Sequence, residues 1–176
     1  FGTAGYAIHN IAVNGGTQRR EHPRVPITPD EIVADGRACA AEGASVIQVH
    51  GRKPDGAWAF DDAEAHREAF RTLRGEGLVV YPSMMFSRDD PEARFRDVDQ
   101  LGAEGLLDWA PVDTGTTYLV PCTGGRLAAR GFTYENPVAD NRHALSLCMK
   151  HRLAPSVAAY EPHFIRQLLL LLPEYP

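Results

Sequence analysis

The chain has 176 residues, with 18 Lys and Arg against 23 Asp and Glu and a formal net charge of −5 with His neutral. Apolar residues at 44% and charged residues at 23% suit one globular domain, residues 1–176, with a sizeable core, and exclude a disordered tail. The acidic balance excludes non-specific nucleic-acid binding, which needs a basic face. The longest apolar run, five leucines at 168–172, falls far short of the roughly 18 residues needed to cross a bilayer.

In chain order, residues 6–13 (YAIHNIAV) read as a strand that stops at Asn14-Gly15-Gly16. Thr28-Pro29-Asp30-Glu31 is a capping box with Pro in the first turn, and its helix runs to Gly43. Residues 45–50 (SVIQVH) make a second strand. A second helix opens at Asp61 and Glu64, carries Ala63, His66, Phe70 and Leu73 at helical spacing, and ends at Gly75 and Gly77. A third strand covers 78–81. Asp90-Pro91 starts a third helix with Phe95, Val98 and Leu101 on one side, and 106–112 is a fourth strand. A long loop rich in Thr and Gly, 113–135, follows; loops of that length in compact domains are usually functional or poorly ordered. Asn136-Pro137 begins a fourth helix with Leu145, Cys148 and Met149 inward. Residues 155–160 form a fifth strand. Glu161-Pro162 begins a last helix whose apolar face is Ile165, Leu168, Leu169 and Leu172.

Five successive strand-then-helix units imply a parallel sheet with right-handed crossovers. A doubly wound sheet and part of a (β/α)8 barrel both fit. A whole barrel takes roughly 250 residues, so five units would be its first part. The chain starts at Phe1 rather than Met, which points to a missing beginning. No GxGxxG follows the first strand and no GxxxxGK[ST] occurs, so the usual nucleotide fingerprints are absent. Cys39, Cys122 and Cys148 are far apart and form no CxxC pair, which favours a reducing cytoplasm over a disulfide or cysteine-zinc scaffold. No signal peptide is expected.

In both architectures ligands meet the C-terminal ends of the strands. Those ends offer Asn14 and Thr17, then Gln48, His50 and Arg52, then Ser83, then Asp113, Thr114 and Thr116, then Tyr160, Glu161 and His163. A two-residue period puts Gln48 and His50 on one face of their strand, and Arg52 continues it. Two such side chains can share a metal ion, His as a good zinc ligand and Gln as a weak one. They can equally be a hydrogen-bonded polar pair. His9, His66, His143 and His151 read as structural or exposed. Arg52 has a second reading as a partner of Asp55 or Asp61. Arg19, Arg20 and Arg24 read as solvated charge, although CoA phosphates would need such a group.

The stretch PRVPITPDEIVADGRACAAEGASVIQVHGRKPDG resembles the N-terminal signature of the β-keto acid cleavage enzymes. The matching pieces are 26–32, 42–44, 48–52 and 53–56. The order of 81–83, 112–116, 134–137 and 155–163 is similar to the family as well. The resemblance implies a (β/α)8 barrel of which about five units are present. It also implies a divalent metal, usually zinc, and a reaction in which a β-keto acid and acetyl-CoA give acetoacetate and a new CoA thioester. It makes His50 a metal ligand, with Gln48 in the place of a second histidine. Ser83, Thr114 and Thr116 would bind substrate. Arg52, whose planar guanidinium suits bidentate recognition, is a catalytic candidate to hold the substrate carboxylate, and Glu161, a second catalytic candidate, keeps a carboxylate at the position of a family Asp. Two family glutamates on the fifth strand are replaced by Ser156 and Ala158. The partners implied are a small β-keto acid and an acyl-CoA, and a homo-oligomer is expected. Two alternatives stand beside this reading: a non-catalytic homologue that keeps a ligand pocket, and another metal-dependent aldolase-like barrel lyase.

Overall fold

The computed structural model describes residues 8–60, 62–84, 86 and 90–175. The start of the expected first strand and Asp61 lie outside the described residues. The first strand, β1 (Asn10–Ala12), is followed by α1 (Pro29–Ala41), β2 (Val46–Val49), α2 (Glu64–Gly75) and β3 (Val79–Pro82). These three strands are parallel neighbours in chain order, with Ile11 beside Ile47 and Ile47 beside Val80. Two short helices come next, α3 (Pro91–Arg94) and α4 (Arg96–Ala103), then β4 (Trp109–Asp113), which lies beside β3. After an excursion of short strands come α5 (Val138–His151), a further strand over Ala154–Ala158 parallel to β4, and a last helix. The chain therefore lays down parallel strands in sequence order with helices between them, in a three-stranded sheet, β1-β2-β3, and a two-stranded one, β4-β9. No closed barrel forms among the described residues.

Local chemistry explains the helix starts. Thr28 Oγ1 accepts the Glu31 N–H at 3.3 Å, and Glu31 Oε2 accepts the N–H groups of Thr28 (3.0 Å) and Ile27 (2.9 Å). These backbone donors, with Arg19 beside them, hold the Glu31 carboxyl down at about 2. Asp90 caps α3 by accepting from Glu92 and Ala93. Gly36 lets α1 lie against α2, since a Cβ there would stand 2.9 Å from Leu73.

The helix-facing strand residues Ile47, Val49, Val80, Ala110 and Val112 join Ile32, Phe70, Leu73, Leu101 and Leu145 in one buried core. This is the alternation that leaves the other strand face free for a site.

Four expectations need correction. The 113–135 loop is a folded arm: β5 (Thr117–Leu119) pairs antiparallel with β8 (Phe132–Tyr134), and β6 (Cys122–Thr123) with β7 (Arg126–Leu127). Its Gly124-Gly125 pair, with φ of +59° and +76°, makes the tight turn, and the strands are too short to show a clear alternation. The third helix breaks in two at Phe95, whose φ of −112° leaves the helical region. Met149 points to solvent at 54% exposure while Ala144, Leu145, Leu147 and Cys148 are buried, because the buried stripe of α5 turns away before Met149. On α6 (Pro162–Leu171) the buried residues are Phe164 and Leu171, two turns apart on one stripe; Ile165, Leu169 and Leu172 are exposed. The last strand of the parallel series is β9 (Ala154–Ala158).

Candidate active site

A cavity of about 470 Å³ opens on the strand face turned away from the helices. Its wall is built by period-two side chains from each parallel strand. Asn10 comes from β1, Gln48 and His50 from β2 and its end, and Tyr81 and Ser83 from β3 and its end. Pro111 and Asp113 come from β4, and Ser156, Ala158 and Tyr160 from β9 and its end. The folded arm adds Leu119, Phe132 and Tyr134.

Gln48, His50 and Ser83 are thus brought together. The end of β2 is held by Asn14, which accepts the His50 N–H at 2.9 Å and donates to the His50 carbonyl at 3.0 Å. The His50 ring stands edge-on to Trp58, with its Nδ1 buried and, among the described residues, without a hydrogen-bond partner. Burial first, then the charges of Arg52 and His66, pull its imidazole from 6.5 down to about 4, so it is neutral at pH 7. The Ser83 hydroxyl makes a long 3.4 Å bond to the Met84 carbonyl.

Arg52, Thr114, Thr116 and Glu161 lie elsewhere. Arg52 is buried, and its guanidinium donates to the carbonyls of Gly15 (2.6 Å), Thr17 (3.0 Å) and Gly56 (3.2 Å) while lying 4.3 Å from the Trp58 ring centre. Asp55 instead accepts the Ala57 N–H. Thr114 is fully buried and donates to the Phe164 carbonyl at 2.7 Å, which ties the end of β4 to α6. Thr116 accepts the Asn136 N–H at 3.0 Å. Glu161 is exposed at the start of α6 and outside the cavity lining. Of the basic cluster, Arg19 pairs with Glu31 at 2.5 Å.

The sequence reading missed the pair at the β4 end. Tyr134 donates its hydroxyl to Asp113 Oδ2 at 2.6 Å. Burial pushes the Asp113 carboxyl up from its ordinary value, opposed by the Tyr134 hydrogen bond and the field of Arg94. Below this end, buried Arg94 donates to Asp140 (2.6 Å) and Asn136 (2.7 Å), and Asn136 donates to the Gly115 carbonyl (2.7 Å). No local pattern could have shown these contacts, since Asp113 and Tyr134 are 21 residues apart and Arg94 and Asp140 are 46 apart.

A family model described as beta-keto acid cleavage enzyme matches residues 7–174. The chain belongs to that family. The family is enzymatic and metal-dependent. The donors on these strands fit a metal in part: His50 offers a neutral imidazole with an unpartnered nitrogen and Gln48 a carboxamide on the same face. Among the described residues no three His, Cys, Asp or Glu side chains converge. No helix among them is long and apolar enough to cross a membrane.

Proposed function

We propose that the protein cleaves a β-keto acid by a retro-Claisen-type exchange with acetyl-CoA, giving acetoacetate and a new CoA thioester. The observation that carries this reading is the meeting of Gln48, His50 and Ser83 on one cavity wall, in a chain whose family match spans residues 7–174. The chemistry needs a polarised keto carbonyl, a held carboxylate and a managed proton. His50 and Gln48 would hold a divalent metal such as zinc, which when bound supplies the Lewis acid for the carbonyl.

The protein's own residues serve the carbonyl end. Ser83 can exchange its long bond to Met84 for a substrate oxygen. Asn10 donates to the Tyr81 hydroxyl at 2.6 Å, which fixes the Tyr81 ring in the wall. Arg52 acts as a positioning residue, tying the first loop to the segment after β2 and so steadying His50. Thr114 and Thr116 position the end of β4 in the same way. The lining holds no Lys or Arg among the described residues, and Glu161 stands outside it.

The test is formation of CoA thioesters from acetyl-CoA and a panel of β-keto acids, with zinc and other divalent metals added in turn. Acetyl-CoA-dependent acetoacetate release with at least one acid supports the reading; no product from any acid overturns it. The presence of one imidazole where the resemblance expects two favours a second reading, a non-catalytic homologue that keeps a ligand pocket. Saturable binding of a β-keto acid without turnover would establish that alternative.

A further inference from the structure

We infer that Asn136 is a positioning residue for the candidate active site: it knots both feet of the 117–134 arm to the buried Arg94 and so sets Leu119, Phe132 and Tyr134 in the cavity wall. The inference concerns the wall itself and stands whichever reaction the cavity serves.

Each polar atom of Asn136 is engaged, and the partners lie on three segments. Its Oδ1 accepts from Arg94 of α3 at 2.7 Å, and its Nδ2 donates to the Gly115 carbonyl beyond β4 at 2.7 Å. Its backbone N–H donates to Thr116 Oγ1 at 3.0 Å, and its carbonyl accepts from Asn141 Nδ2 of α5 at 3.2 Å. Thr116 and Asn136 flank the Thr117–Tyr134 pair at the base of the arm, so their bond closes its neck across 20 residues. Asn136 is buried, and a buried amide satisfied on every side holds one geometry, because losing one partner leaves the others unpaired at a cost.

The arm cannot hold its own place. Two-stranded ribbons this short are marginal alone, and Tyr118, Leu127 and Phe132 on it are exposed. Its further ties sit at the base. Tyr134 donates to Asp113 at 2.6 Å, His163 Nε2 lies 2.9 Å from the Thr116 carbonyl, and the Phe132 and Tyr134 rings stand 5.8 and 6.0 Å from Phe86. The other side of the knot is packed. Arg94 is fully enclosed and also donates to Asp140 of α5, and Gly115 lies so close to Phe164 that a Cβ would stand 2.5 Å from its ring. Asn136 therefore passes the position of a buried layer to the arm. Asp113 registers the result. The groups that face it are Tyr134 from the arm, Tyr160 after β9 and Arg94 from α3, with Tyr81 of β3 on the same wall. A released arm takes Tyr134 away and admits water. Burial is the larger influence on Asp113, so its carboxyl then falls back toward the ordinary range.

The test reads the arm and Asp113 separately, in the full chain without metal or acetyl-CoA. Asn136→Ala removes both side-chain bonds. Asn136→Asp keeps an acceptor for Arg94 and loses the amide that bonds the Gly115 carbonyl, and it decides the matter if the alanine variant does not fold. Hydrogen exchange read by mass spectrometry follows amides 117–134 against those of β2 and β3. Carbon-13 resonances of labelled aspartate, assigned with Asp113→Asn, follow the Asp113 carboxyl through a pH series. In both Asn136 variants the arm should exchange about tenfold faster or more while β2 and β3 keep their rates, and the Asp113 titration should move down toward the ordinary carboxylate range. Leu73→Ala, which loosens the core between α1 and α2, should leave arm exchange and the Asp113 titration as they are. Unchanged arm exchange or an unchanged Asp113 titration in Asn136→Asp overturns the inference. So does faster exchange spread evenly over β2 and β3, or equal loosening of the arm in Leu73→Ala, since either makes general stability the cause. Neither readout depends on turnover, so failure of the thioester assay and failure of this inference are told apart.

Discussion

The cavity has two ends that respond to acid in opposite directions. At the β2 end the titrating groups are imidazoles. His50 and the fully buried His66 are both pulled from 6.5 to about 4, first by burial. The unfolded chain therefore takes up protons before the folded one does. Their contribution to stability is complete above pH 6.5 and is lost as the pH falls toward 4. At the β4 end Asp113 is raised by burial, so the folded chain holds its proton longer than the unfolded one. Its contribution favours folding in acid and is lost as the pH climbs through the raised value. The supports differ too. The β4 end rests on a buried ion pair, Arg94 with Asp140, whereas Arg52 near the β2 end is bonded to backbone carbonyls. One cavity can thus hold neutral donors at one end and a desolvated carboxyl at the other, because each end has its own scaffold.

The largest test of that contrast removes the β4 scaffold. Asp140→Ala leaves the Arg94 guanidinium buried without this carboxylate and is expected to lower the unfolding free energy by about 3–5 kcal/mol. Urea denaturation checks it, and a loss below about 1 kcal/mol would mean that Arg94 finds a replacement.

The acid response of the β2 end is next. In metal-free buffer the urea midpoint should fall steadily between pH 6.5 and 4.5. Replacing His66, whose Nδ1 lies 3.3 Å from the Asp62 carbonyl, with Gln should flatten that slope by about 2 kcal/mol over the interval. A slope unchanged in His66→Gln would place the acid sensitivity elsewhere.

Gln48→His sharpens the same end chemically. A second imidazole on the His50 face should tighten zinc binding by about tenfold or more. Titration with a competing chelator reads it, and equal affinity in both forms would remove Gln48 and His50 from the metal's coordination.

The smallest effect separates tie from ligand contact. Thr114→Val deletes the hydroxyl that bonds the Phe164 carbonyl and should cost about 1 kcal/mol of stability. Thr116→Val, at an exposed position, should cost clearly less. Thermal melts of the pair decide whether the buried tie to α6 matters.

The sequence alone determined the strand-helix order, the α1 capping box, and the shared face of Gln48 and His50. All three rest on interactions within a few residues, and a two-residue or 3.6-residue period reports such interactions directly. It also carried the family, because the signature around β2 is local. Only the tertiary structure decided the rest. Arg52 continues the strand period, yet its guanidinium turns to three loop carbonyls that only the fold brings close. The 113–135 segment looked like a loop because its strands are two or three residues long, too short for a pattern, and are held by pairing with each other. Asp113 was visible at the end of its strand, but its character was not. That comes first from the depth of the wall, opposed by the Tyr134 hydrogen bond and the field of Arg94, all contributed by residues far along the chain.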